Sequence, residues 1–246
     1  MNQPVAAPPT PIVGKDVYVG PRPFQTGETL YGRERETREL VSLLLSQRLV
    51  LLHAPSGGGK TSLIQAKLVQ AMQDEDFEVP MHLLPDNPVP QPVILRLNRP
   101  PEATDPPGSN RYLLSVLVAL EQHRPEDQRR SVRELATLSL NQYLEQEFPD
   151  ASRPANTACP DGFRPLLLLF DQFEELLTLD PTDHPAKTAF LGEVGGALRN
   201  PGRWALFALR DDFLGALEPY LTAIPTRLTT TYHLEPPAHR PRGGSH

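Results

Sequence analysis

Residues 48–65 read RLVLLHAPSGGGKTSLIQ: an aliphatic run, a cluster of small residues, then a Lys-Thr pair at the head of an amphipathic pattern. A short apolar run that stops at turn residues reads as a buried strand, and the 3.6-residue period of KTSLIQAKLVQAMQ reads as a helix. The consecutive glycines between them let the chain turn through conformations closed to residues with a Cβ. A strand buried on both faces that turns straight into a helix belongs in a parallel sheet covered on both sides.

The rest of the chain repeats this alternation. PVILRLN (92–98), RPLLLLFDQ (164–172), RWALFALR (203–210) and TTTYHL (229–234) join RLVLLHA (48–54) as strand candidates. Helical patterns separate them: ERETRELVSLLLSQ, KTSLIQAKLVQAMQ, RYLLSVLVALEQ, SVRELATLSLNQYLEQEF and KTAFLGEVGGALR, the last weakened by Gly192, Gly195 and Gly196. The fold class expected is therefore α/β with a mainly parallel sheet. The 29 prolines gather in the first dozen residues, in 80–107, in 149–165 and after Glu235, and these stretches are expected to be loops or linkers. At 246 residues, one domain over 17–235 is expected, with disordered segments at 1–16 and 236–246.

Composition narrows the partners. A net charge of −6 and the lack of a Lys/Arg block give no sign of a nucleic-acid partner. No apolar run approaches the roughly 20 residues of a membrane span, and MNQPVAAPPTP lacks the basic and apolar regions of a signal peptide. A cytoplasmic location is the expectation, and the single Cys159 has no partner for an internal disulfide.

Residues 54–61, Ala-Pro-Ser-Gly-Gly-Gly-Lys-Thr, match the P-loop pattern GxxxxGK[ST] except that Ala54 replaces the first glycine. In such a loop successive amides point inward at a β-phosphate, the positive end of the following helix adds to them, and the lysine reaches the β and γ phosphates. The expected nucleotide-binding residues here are Pro55, Ser56, Gly57, Gly58, Gly59, Lys60, Thr61 and Ser62, with the Thr61 hydroxyl on Mg²⁺. The second magnesium anchor is sought at the end of LLLLFDQFEELL, where Asp171 follows a buried strand. Glu174 and Glu175 come three and four residues later, and either could orient or deprotonate an attacking water. Arg210 ends the fourth strand, at the mouth of such a site, where it could contact a γ-phosphate or pair with Asp211 or Asp212. The two aspartates read as helix caps.

Taken together, four elements resemble the STAND NTPases, in particular the bacterial branch known as novel STAND NTPase 1. They are GPRPF (20–24), YGRERE (31–36), FDQFEEL (170–176) and ALRDDFLGAL (208–217), and the similarity spans 18–235. The resemblance implies a P-loop NTPase sandwich of three layers with five strands in the order 5-1-4-3-2, ATP with Mg²⁺ as ligands, slow hydrolysis and use of the bound state as a signalling switch. It also implies that Gly32, Arg33 and Glu34 lie by the base and ribose, that Asp171 and Glu174 are the Walker B acids, and that Arg210 is a sensor. The family continues into a winged helix and repeats, neither of which follows LEPPAHRPRGGSH here, so a truncated switch is expected. Sensor or effector domains and homo-oligomerisation stay open as partners beside ATP and ADP. Two other readings compete: a nucleotide-binding scaffold without turnover, favoured by Gln172 where many ATPases carry a second acid, and a P-loop small-molecule kinase.

Overall fold

The protein is described by a computed structural model over residues 32–84, 87–151 and 163–236. The expected disordered ends, Pro236 excepted, and Cys159 lie outside these residues, as does GPRPF.

The sheet is built where the apolar runs stand. Strands β1 (Leu49–Ala54), β4 (Leu166–Phe170), β5 (Arg203–Arg210) and β6 (Thr231–His233) form one sheet in the order β4-β5-β1-β6, and every pairing is parallel. Its register sets Leu51 against Phe207 and Thr231, and Leu168 against Ala205. Because side chains alternate between faces along a strand, each central strand contributes to two cores. Leu49, Leu51, Leu168, Phe170 and Phe207 join one, whereas Val50, Leu52, Leu167, Leu169 and Leu206 join the other. Such continuous burial is what a parallel sheet needs and why these strands read as unbroken apolar runs.

Helices cover both faces. On one side lie α1 (Glu34–Ser46) and a helical run from Lys60 to Asp74, in which α2 (Lys60–Leu63) and α3 (Val69–Asp74) flank a π-helical turn at Ile64–Leu68. On the other lie α4 (Arg111–Glu121), α6 (Leu140–Glu147) and α8 (His184–Leu198), with the single turns α5 (Val132–Leu135) and α7 (Glu175–Thr178) packed on the same core. The expected helix over SVRELATLSLNQYLEQEF is two. Ser131 and Ser139 each begin a helix with a reciprocal capping box, to Glu134 and Gln142, so the chain restarts at Ser139. The glycine-bearing pattern does form a helix, and Gly195 has a packing reason to be there: a Cβ at that position would lie 1.9 Å from the Ala223 carbonyl oxygen.

One expected strand is replaced by something else. Within 92–98 only Pro92 is in a strand, the end of a hairpin; Leu95 makes a single parallel bridge to Phe170, donating to Leu169 O at 2.8 Å and accepting from Asp171 N at 3.1 Å. A second bridge joins Glu78 to Leu166 at the other end of β4. Between the two, the chain leaves as an antiparallel hairpin of β2 (Met81–Leu84) and β3 (Asn87–Pro92), closed at its base by Val93 N donating to Pro80 O at 2.8 Å. The expected five-stranded order thus appears as four strands plus two bridges along the free edge of β4. The hairpin also corrects the expectation of loop for the proline-bearing residues of 80–107 that precede the 92–98 run. Both of its strands are edges, where proline is tolerated.

Candidate functional site

β1 ends at Ala54, and the loop that follows turns through Gly57 and Gly59, both with positive φ of 74° and 87°. Gly58 is needed for space: a Cβ there would lie 2.8 Å from that of Ala54. Gly58 N donates to Pro55 O at 3.1 Å, and helix α2 begins at Lys60 directly after Gly59. Pro55, Ser56 and Gly57 form an exposed rim, Gly58 and Lys60 are buried, and Thr61 and Ser62 lie at intermediate depth.

Lys60 folds back into this loop, its Nζ donating to Ala54 O at 3.1 Å, with only 9 % of the residue exposed. Burial lowers its pKa, and the nearby carboxylates of Glu174, Asp171 and Asp211 oppose the shift. Holding a charged ammonium against a single carbonyl is unfavourable, and an anion beside it would relieve that cost.

The carboxylate end of β4 meets the same loop. Thr61 Oγ1 donates to Asp171 Oδ2 at 2.6 Å, and the guanidinium of Arg96 donates to that oxygen at 3.0 Å. Asp171 is 1 % exposed, and its Oδ1 is buried with no hydrogen-bond partner. Such an orphaned carboxylate oxygen is rare in a folded protein and invites a cation. A carboxylate and a hydroxyl are donors that a hard divalent ion such as Mg²⁺ takes, so this pair fits that ion.

Glu174 and Glu175 diverge. Glu174 Oε2 accepts from Arg210 N at 3.3 Å, towards the end of β5. Glu175, 9 % exposed, accepts from Leu97 N at 2.9 Å and lies 3.9 Å from Arg96, and burial raises its pKa. Between β4 and these acids Gln172 takes a left-handed φ of 51° and accepts from Arg96, while Phe173 N donates to Ala208 O at 2.9 Å. Arg96 thus ties Asp171, Gln172 and Glu175 together. It escapes motif reading; the only sign was a charged residue inside the apolar run PVILRLN.

Arg210 stands at the end of β5 as expected, with its Nη2 paired to Asp212 Oδ2 at 2.5 Å and its Nε buried without a partner. The aspartates are not caps. The turn that follows has no side-chain cap, Asp212 is taken by Arg210, and Asp211 lies against His53 and His233. Of Gly32, Arg33 and Glu34, Arg33 reaches the loop: its Nη2 donates to Gly58 O at 3.3 Å and its Nη1 pairs with Glu36 at 2.8 Å. Gly32 is exposed with φ of 79°, and Glu34 points outward to Lys67 at 3.4 Å.

A parallel α/β sheet whose first strand opens into a glycine loop, a buried lysine and a Thr-Asp pair defines a class of nucleotide-binding modules. Within that class the chain belongs to the family described as Novel STAND NTPase 1, whose sequence model matches residues 18–240. No curated protein matches the chain. Among the described residues no helix is long and apolar enough to cross a membrane.

Proposed function

We propose that the chain binds ATP with Mg²⁺ at the loop after β1, hydrolyses it slowly, and serves as the nucleotide module of a signalling switch. The observation that carries this reading is the pairing of Thr61 with Asp171 beside a buried, back-folded Lys60, with one Asp171 oxygen left without a partner. Lys60 exchanges the Ala54 carbonyl for phosphate oxygens, and the glycine-loop amides hold the β-phosphate. Thr61 and Asp171 hold Mg²⁺, which neutralises charge on the phosphates when bound. Arg33 braces the loop from behind through Gly58 O.

Glu174 is the acid that orients the attacking water, because it faces Arg210 at the end of β5, whereas Glu175 is committed to Leu97 N. Turnover is slow because the Arg210 guanidinium is held by Asp212. The family supports a nucleoside triphosphate, and the choice of water over another acceptor separates this reading from a kinase. Two assays on the same protein test it: nucleotide affinity and phosphate release. Glu174→Gln is expected to keep affinity within about twofold and to lower release about 10²-fold or more. Full turnover in Glu174→Gln, or loss confined to Glu175→Gln, would assign the base to the wrong residue. Tight binding with no release from the wild type would leave a scaffold.

A further inference from the structure

A second cluster of chemistry-bearing side chains lies at the same end of the sheet, built from residues that the phosphate site does not use. His53 on β1 and His233 on β6 are register partners on adjacent parallel strands. His53 alternates with Leu52 and Ala54, which pack into the core under the helix that starts at Lys60, so it faces the opposite side of the sheet. Asp211 follows the end of β5 on the other flank of β1, where Ala54 pairs with Arg210. Three neighbouring strand ends, β6, β1 and β5, thereby present His, His and Asp to one point.

Asp211 Oδ1 lies 2.8 Å from His53 Nδ1, and Asp211 Oδ2 lies 3.4 Å from His233 Nε2. The imidazole rings are stacked with centroids 5.0 Å apart, and one ligating atom from each residue lies within 4.8 Å of the others. A tetrahedral zinc ion with bonds of about 2.0–2.2 Å needs its ligand atoms about 3.3–3.5 Å apart, so the three atoms, none more than 4.8 Å from another, reach that geometry by closing up to about 1.5 Å. Glu235 adds a feature that simple hydrogen bonding does not need: its Oε1 lies 3.4 Å from His233 Nδ1, the ring nitrogen turned away from Asp211. A carboxylate behind a ligating histidine fixes the tautomer that offers Nε2 forward.

We infer that His53, Asp211 and His233 form a binding site for a zinc-class divalent cation, with Glu235 orienting His233. Two imidazoles and one carboxylate select Zn²⁺ and its nitrogen-binding neighbours over Mg²⁺ and Ca²⁺, which take oxygen. Three protein ligands leave a fourth position open, and the 42 % exposure of the His233 side chain places that position towards solvent. The site stands independently of the reading of the glycine loop. Its occupation would bear on that loop through Asp211, which adjoins Arg210 and contributes to the field at Lys60.

The test uses the whole chain, stripped with a chelator, and titrated with Zn²⁺ by calorimetry and with Co²⁺ by visible absorption. One saturable ion is expected, undisplaced by excess Mg²⁺. His233→Gln and Asp211→Asn should each weaken it more than about tenfold, and Glu235→Gln by about tenfold, with circular dichroism unchanged. Wild-type protein needs no variant for the second reading: on adding Zn²⁺, the ring ¹⁵N signals of two of the seven histidines should move. Absence of saturable binding would overturn the proposal. So would affinity that is unchanged in both His233→Gln and Asp211→Asn, or ring shifts at histidines other than these two.

Discussion

Lys60 and Glu175 show how the site sets function against stability. Each is a buried ionisable group whose charged form is less favourable folded than unfolded, since burial lowers the lysine and raises the glutamate. For Lys60 the folded protein releases its proton at a lower pH than the unfolded chain. Its penalty is thus full below the depressed pKa and fades as pH rises towards the ordinary lysine value. Lys60→Met is therefore expected to stabilise the ligand-free protein at neutral pH by about 1 kcal/mol while reducing stabilisation by ATP, which thermal melts with and without nucleotide would read. For Glu175 the folded state keeps its proton longer, so stability falls as pH rises from the ordinary glutamate value through the raised one. Glu175→Gln, which still accepts from Leu97 N, should flatten that fall; parallel melting curves for the two proteins across this range would contradict it. Arg210 carries a third expectation: Asp212→Asn frees its guanidinium, and phosphate release should rise several-fold with affinity little changed.

The elements divide into those that a periodicity dictates and those that tertiary packing decides. β1, β4 and β5 were legible because burial on both faces leaves an unbroken apolar run. The segment 92–98 has the same kind of sequence, with Val93, Leu95 and Leu97 all buried, yet meets β4 through Leu95 alone. What sequence could not reveal is that the same edge is shared with Glu78 and interrupted by the β2–β3 hairpin, because pairing partners so far apart leave no local signal. Helix α8 makes the converse point. Its three glycines weaken the local preference for helix, and a clash that is invisible locally explains only one of them. Gly195→Ala should destabilise the protein by about 1–3 kcal/mol, since its Cβ would drive into the Ala223 carbonyl. Gly192→Ala and Gly196→Ala, where nothing lies within 4 Å, should stabilise by about 0.5–1 kcal/mol from helix preference. Denaturant midpoints of the three variants check the opposite signs.

At the scale of the molecule, the sheet brings residues far apart in sequence to one end. Lys60 and Thr61 follow β1, Asp171 follows β4 and Arg210 closes β5, and Thr61 meets Asp171 where these strand ends converge, a proximity that the place of Asp171 after a buried strand made legible. Arg96 and the His53–Asp211–His233 cluster were not foretold: their signals were single polar residues within or just after apolar runs, which acquire meaning only when the strand order is known. The proposed function makes the glycine loop and its lysine the phosphate-binding centre. Titration of a fluorescent ATP analogue into wild type and Lys60→Ala, each with and without Mg²⁺, tests it directly. Mg²⁺-dependent binding by the wild type is expected and, on loss of the charge-assisted contact, a weakening of about 1.5–3 kcal/mol, roughly ten- to 150-fold in Kd. Equal affinity of the two proteins would contradict it and move the nucleotide elsewhere.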